Sequence, residues 1–260
     1  RGWPVSTTHS IVGAIIGFVL ISKGVDAVSW GKVGNIAMSW VTSPLFSGTL
    51  AFGLYISAKK LILDRADPGK AAITYIPFYS FLVAVVISLV TARKGLKHVG
   101  IEFSENEIYL FILIFSVIVA IGTAFFLRKN KDKIMRDGGI EFAFGLLMVV
   151  SASAMAFAHG SNDVANAIGP LAAIVSIVDT GVIGSKSSIS PWVLLIGGIG
   201  IVFGLATIGS RVIATVGKKI TVLTPSLGFS AEMATASTVV AATYLGFPIS
   251  TTHTLVGGVI

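Results

Sequence analysis

The tetrapeptide Ser-Thr-Thr-His occurs twice in this sequence, at 6–9 and at 250–253. Each copy has a proline two residues before it, Pro4 or Pro248, and leads into apolar residues of helical character. Serine and threonine at a helix start cap the first turn through a side-chain oxygen. The free N–H groups there carry the positive end of the helix dipole. Ser6, Thr7 and Thr8, and likewise Ser250, Thr251 and Thr252, therefore form a neutral, donor-rich setting for an anion. Arginines would grip such an anion more tightly; hydroxyls suit one that must also leave. For one copy alone the simpler reading is a cap on a kinked helix. A second copy turns the reading toward a shared anion site.

The segment Ala158-His-Gly-Ser-Asn-Asp-Val-Ala-Asn166 carries different chemistry. Asp163 lies in apolar surroundings, where an ionised carboxylate is costly unless a cation offsets it. Asn162, Asp163 and Asn166 offer side-chain oxygens, and Asp163 and Asn166 share a helix face. Gly160 would let the helix break and expose carbonyls, and oxygen ligands at a broken helix suit Na⁺. The alternative is a hydrogen-bonded cluster between helices. Glu232 is read in two ways, as a residue of proton or ion coupling or as a structural residue near the membrane surface. His9, His159 and His253 are read as packing residues before ligands. Glu141 suits the start of a span, where the dipole favours an acid. No Ser/His/Asp spacing, metal-binding histidine pair or phosphate-cradling glycine loop is present, so an enzyme is not expected. Without cysteine there is no disulfide and no thiolate metal site.

These residues need elements to hold them, and the composition says which kind. Of the 260 residues 54% are hydrophobic and only 12% charged, against about 25% charged in soluble domains. That is too little polar surface for a water-soluble chain, so the expected setting is a lipid bilayer. The net charge of +7 comes from loops between apolar runs, where topology signals lie, and nucleic acid is not expected as a partner. Apolar runs long enough to cross a bilayer lie at 35–63, 71–92, 107–127, 141–177, 192–209 and 221–246. Ser43-Pro44 should break or kink the first, and the polar residues at 159–166 should interrupt the fourth. Shorter apolar pieces follow the two hydroxyl runs at 10–22 and 254–260.

Lysine and arginine alternate low and high through six loops: 2, 4, 3, 5, 1 and 3. The positive-inside rule then places 59–70, 128–137 and 211–219 in the cytoplasm. On that layout the two Ser-Thr-Thr-His copies face opposite sides, as inverted-topology transporter repeats do.

Ala158–Ala167 resembles the signature of the inorganic phosphate transporter family. Pro248–Gly257 resembles that family's second motif, and Leu223–Glu232 is similar to the segment before it. The resemblance spans nearly the whole chain, and the short basic loop at 128–137 resembles prokaryotic members. It implies an all-α, polytopic transmembrane protein with inverted repeats, broken helices and re-entrant hairpins. It implies a symporter that imports inorganic phosphate with Na⁺ or H⁺ by alternating access across the plasma membrane, with no other cofactor and often as a homodimer. Asn162, Asp163 and Asn166 would then hold the cation, Asp163 and Asn166 ligating Na⁺. Ser6, Thr7, Thr8, Ser250, Thr251 and Thr252 would hold phosphate, with Glu232 a possible coupling residue. Residues 1–127 would end the first repeat and add connecting helices, 128–139 would be a basic cytoplasmic loop, and 140–260 the second repeat. The chain departs from the common signature at Ser161, where alanine is usual. The family has an Asn-Asp motif in both halves, and the first would fall before Arg1, so the chain is expected to be a fragment. Sulfate transport, or a membrane receptor or scaffold without transport, are the alternative readings. The buried Asp163 argues against the scaffold.

Overall fold

The fold is described from a computed structural model for residues 2–91, 104–181, 189–247 and 249–260. Arg93, Lys94, Lys97, Lys186 and Pro248, which entered the loop and motif readings, lie outside the described residues.

Apolar runs bounded by good caps become helices. They are α1 (Thr7–Lys23), α2 (Trp30–Ala58), α3 (Pro68–Val90), α4 (Glu105–Lys129), α5 (Lys131–Ile134), α6 (Gly139–Thr180), α7 (Pro191–Gly204), α8 (Ser210–Ala214), α9 (Pro225–Tyr244) and α10 (Thr251–Val259). The described residues contain no strand. Asp67 caps α3 by accepting from the Lys70 N–H at 3.0 Å, with Pro68 in the first turn. That N–H, and then the Lys70 ammonium, hold the Asp67 carboxyl below its usual range. Ser104 and Glu107 form a reciprocal capping box on α4, and Thr224 caps α9 ahead of Pro225.

Among the described residues five helical stretches are long and apolar enough to cross a membrane: Trp30–Leu63, Pro68–Leu89, Glu105–Lys129, Gly139–Thr180 and Pro191–Ile220. Their large side chains face outward, as Phe125 at 71% and Phe203 at 70% exposure show. In water such surfaces would be a liability; in lipid they are satisfied. Helices α2, α3, α6 and α10 pack against α9. This helix is built largely of small residues and is buried along most of its length. It is thus an inner helix of the bundle, and it covers most of the span expected at 221–246.

Several expectations change. The helix does not break at 159–166: α6 runs without interruption through Gly160. Its backbone bonds remain internal, and its polar side chains find partners on other helices, so nothing forces the chain to open. Nor are Arg211, Lys218 and Lys219 in a loop. They sit on helical turns, the last of them π-helical, that continue α7 to Ile220. Similarly, Lys59 and Lys60 lie on a π-helical turn extending α2 to Leu63, and α2 passes through Pro44 as one helix.

The helices that place the hydroxyl runs are locked by close contact. Gly257 of α10 rests directly against the backbone of Pro44 in α2, and Gly48 lies against the Gly257 carbonyl. Alanine at 257 would gain about 1 kcal/mol of helix propensity. It would also drive a methyl into backbone atoms that cannot swing aside, and overpacking costs about 1–3 kcal/mol or more. The second effect should win. Gly257→Ala is expected to lower the melting temperature of the intact protein in detergent by several degrees; an unchanged or higher value would mean that this crossing is not tight.

Candidate functional site

Both hydroxyl runs fold in the same way. Ser6 and Ser250 have extended backbones, and each accepts a hydrogen bond at 3.1 Å from the N–H three residues on, His9 or His253. The threonines that follow open α1 and α10. The two caps meet: Ser250 Oγ donates to Ser6 Oγ at 2.7 Å, with both side chains buried. Residues 244 apart in sequence thus bring two helix N-termini to one point.

Helix α6 crosses beside this point and presents a polar face at four-residue steps. Thr7 and Thr251 both donate to Asp163 Oδ1, at 3.1 and 3.4 Å. The other carboxylate oxygen, Oδ2, lies 2.7 Å from His159 Nε2. Asn166, one turn further along, donates to Thr8 Oγ1 at 2.9 Å and approaches Thr7 Oγ1 at 3.5 Å. Thr8 Oγ1 donates in turn to the Ile249 carbonyl at 3.4 Å. One carboxylate, one amide and hydroxyls from both runs therefore form a continuous cluster.

The cluster opens on a cavity of about 930 Å³ lined by Thr7, Ser10, His159, Asp163, Asn166 and Glu232 among others. No lysine or arginine lines it among the described residues. Glu232 accepts from Ser151 Oγ at 2.7 Å. Glu232 also lines the cavity, so the second carboxylate shares the space of the first.

Two candidates fall outside the cluster. Asn162 lies roughly 100° around the helix from Asp163 and does not line the cavity. Thr252 does not line it either. His9 and His253 pack on each other with ring centroids 4.2 Å apart, and His9 also stacks on Trp40 at 3.7 Å. His159 joins Asp163 directly, a pairing signalled by their i,i+4 spacing.

Comparisons with known proteins bear on the family of the chain. A Haemophilus influenzae protein named "Putative phosphate permease" is 49% identical over 100% of this chain and 63% of its own length. Inorganic phosphate transporter 2-1, chloroplastic, of Arabidopsis thaliana is 40% identical over 99% of this chain and 48% of its own length. A solved structure described as the sodium-dependent phosphate transporter superimposes with a TM-score of 0.85 at 38% identity, covering 99% of this chain and 63% of that one. The chain thus spans less than two thirds of these relatives. The model of the phosphate transporter family matches residues 1–260, and the chain belongs to that family.

Proposed function

We propose that this chain carries the substrate site of a secondary transporter that imports inorganic phosphate with Na⁺ by alternating access. The observation that carries the reading is the Asp163 carboxylate, set among hydroxyls from both helix starts beside a cavity lined by no lysine or arginine among the described residues.

Phosphate at the two N-termini would receive backbone N–H groups and threonine hydroxyls, but it would also face Asp163. Two unit charges 4 Å apart repel by about 4 kcal/mol in a surface-like dielectric near 20. A cation between them turns that repulsion into two attractions. Phosphate then binds weakly without the cation, and the cation gains from phosphate by the same factor. Coupling follows from charge arrangement alone. The donor set is hard oxygen: the Asp163 carboxylate, threonine hydroxyls and the Asn166 amide oxygen, whose N–H₂ group is already turned to Thr8. The described residues hold no group of three His, Cys, Asp or Glu suited to a transition metal. Such a set fits an alkali cation, and similarity to a solved transporter described as sodium-dependent favours Na⁺ over H⁺. Glu232, in the same cavity, is read as an auxiliary coupling residue.

Uptake of labelled phosphate and sulfate by the intact protein in proteoliposomes tests this. Phosphate accumulation driven by a Na⁺ gradient is expected, with sulfate a poor competitor. Uptake indifferent to Na⁺, or preference for sulfate, would overturn it.

We read the two hydroxyl runs as equivalent points of inverted repeats divided near 128–139, in a homodimer of the plasma membrane with 59–70, 128–137 and 211–219 cytoplasmic. Helix α6 has 42 residues, about 63 Å at 1.5 Å per residue, which exceeds the roughly 30 Å hydrocarbon core even when tilted. Single cysteines at Lys131 and Asp179, on either side of α6, should therefore react with impermeant reagents from opposite faces, Lys131 from the cytoplasm. Reaction from one face would refute this span.

A further inference from the structure

A second cavity of about 440 Å³ lies beside α2 and α9. Its lining includes Asn35, Ser39, Thr42, Ser43, Thr238 and Ile249, with apolar side chains between them. Ser39, Ser43 and Thr238 are buried at its floor, each 6% exposed or less. The Ser43 hydroxyl has no hydrogen-bond partner among the described residues. An unpaired hydroxyl so deeply buried is costly unless something in the cavity meets it. The volume suffices for roughly fifteen waters at about 30 Å³ each, or for an oxyanion with part of its hydration shell.

The position of this recess gives it meaning. Ile249 lines it, and the Ile249 carbonyl takes the Thr8 hydroxyl. Thr7, the neighbour of Thr8, lines the larger cavity. The Thr8–Ile249 hydrogen bond, beside the Ser6–Ser250 contact, thus links the lining of one space to that of the other. On α2 the recess residues lie in the half away from Lys59 and Lys60, and on α9 they lie at the end away from Lys218 and Lys219. The larger cavity takes Glu232 from the opposite half of α9 and Ile213 from α8.

We propose that the recess is the antechamber of the transport path on the side opposite the larger cavity, where a hydrated tetrahedral oxyanion waits, and that the serine–threonine layer is the closed gate between them. This rests on the transport reading above. The gate is made of neutral contacts, Ser6–Ser250 at 2.7 Å and Thr8–Ile249 at 3.4 Å. It can open by losing few hydrogen bonds, and each hydroxyl freed can turn to the passing anion.

Single cysteines at Ser43 and at Ala156, which lines the larger cavity, test the proposal in the intact protein, freed of other cysteines and reconstituted in sealed vesicles. The probe is an impermeant, anionic methanethiosulfonate. Ser43→Cys should react from one face and Ala156→Cys from the other. Phosphate with Na⁺ at ten times its dissociation constant should slow the Ser43→Cys reaction about tenfold, by simple occupancy. Thr238→Cys, at the same floor, repeats the measurement if Ser43→Cys does not fold. Reaction of both sites from one face overturns the proposal. So does an inert recess cysteine, as expected if lipid or another helix fills the space. Opposite-face reaction with protection by sulfate in place of phosphate keeps the antechamber and instead refutes the phosphate reading.

Discussion

Asp163→Asn is expected to abolish Na⁺-driven phosphate uptake by the intact protein while leaving it folded and inserted. Asparagine has almost the shape of aspartate. Its carbonyl oxygen can still accept from Thr7 and Thr251, which now donate to Asp163 Oδ1 at 3.1 and 3.4 Å. Its N–H₂ group can donate to His159, which lies 2.7 Å from Oδ2, in the tautomer whose Nε2 accepts. The hydrogen-bonding frame therefore survives, and only the charge is lost. With the charge goes the attraction that holds the cation, about 4 kcal/mol at 4 Å in a dielectric near 20, or roughly a thousandfold in cation affinity. Phosphate then meets no cation and gains nothing from the Na⁺ gradient. The measurement is the initial rate of gradient-driven uptake in proteoliposomes, with melting temperature and elution volume as controls on folding. Undiminished Na⁺-driven uptake by a folded variant would remove Asp163 from the coupling mechanism.

The convergence on which this rests was partly legible in the sequence. A repeated Ser-Thr-Thr-His behind a repeated proline marks two helix starts of the same build, and both Ser6 and Ser250 act as caps. The i,i+3 spacing of Asp163 and Asn166 put them on one face, where the structure has them. Asn162 shows the limit of such reading. It is the same residue type as Asn166 and adjacent to Asp163, yet one helical step carries it off the cavity. Only a continuous helix fixes that phase. The sequence pointed to a broken one, because a polar stretch in an apolar run looks unsatisfied until its partners are known. Those partners, Thr7, Thr8 and Thr251, lie 88 to 159 residues away. Local pattern carries no trace of them. Arg211, Lys218 and Lys219 misled in the same way, since positive charge suggests a loop although basic residues are equally at home on the last turns of a helix at the membrane surface.

The second large effect is expected at Thr251. Its hydroxyl is buried and donates to Asp163, and His159 Nε2 lies 3.5 Å away. It opens α10 at the point where the two caps touch. If an anion binds there, this hydroxyl turns toward it, and a hydrogen bond to a charged group contributes about 1.5–3 kcal/mol. Thr251→Val removes the donor and keeps size and branching. The apparent affinity for phosphate should fall about ten- to a hundredfold, the same range expressed as a ratio. Folding should survive, because the cap on α10 belongs to Ser250, whose Oγ accepts from the His253 N–H. Thr7→Val should act similarly, since Thr7 holds the matching place on α1 and the same Asp163 oxygen. Thr252 supplies the contrast: among the described residues its hydroxyl makes no hydrogen bond to Asp163 or Asn166, unlike those of Thr7, Thr8 and Thr251, so Thr252→Val should change affinity little. The three variants therefore separate two roles that any one of them would confuse. A phosphate site shared by both helix starts predicts a loss at Thr7 and Thr251 and none at Thr252. Hydroxyls that serve only to cap helices predict normal affinity in all three, with the loss confined to stability. Phosphate titration of Na⁺-driven uptake, read beside thermal melting of the same preparations, distinguishes these outcomes. Unaltered affinity in both Thr7→Val and Thr251→Val would leave the paired runs as a structural junction and move the anion elsewhere.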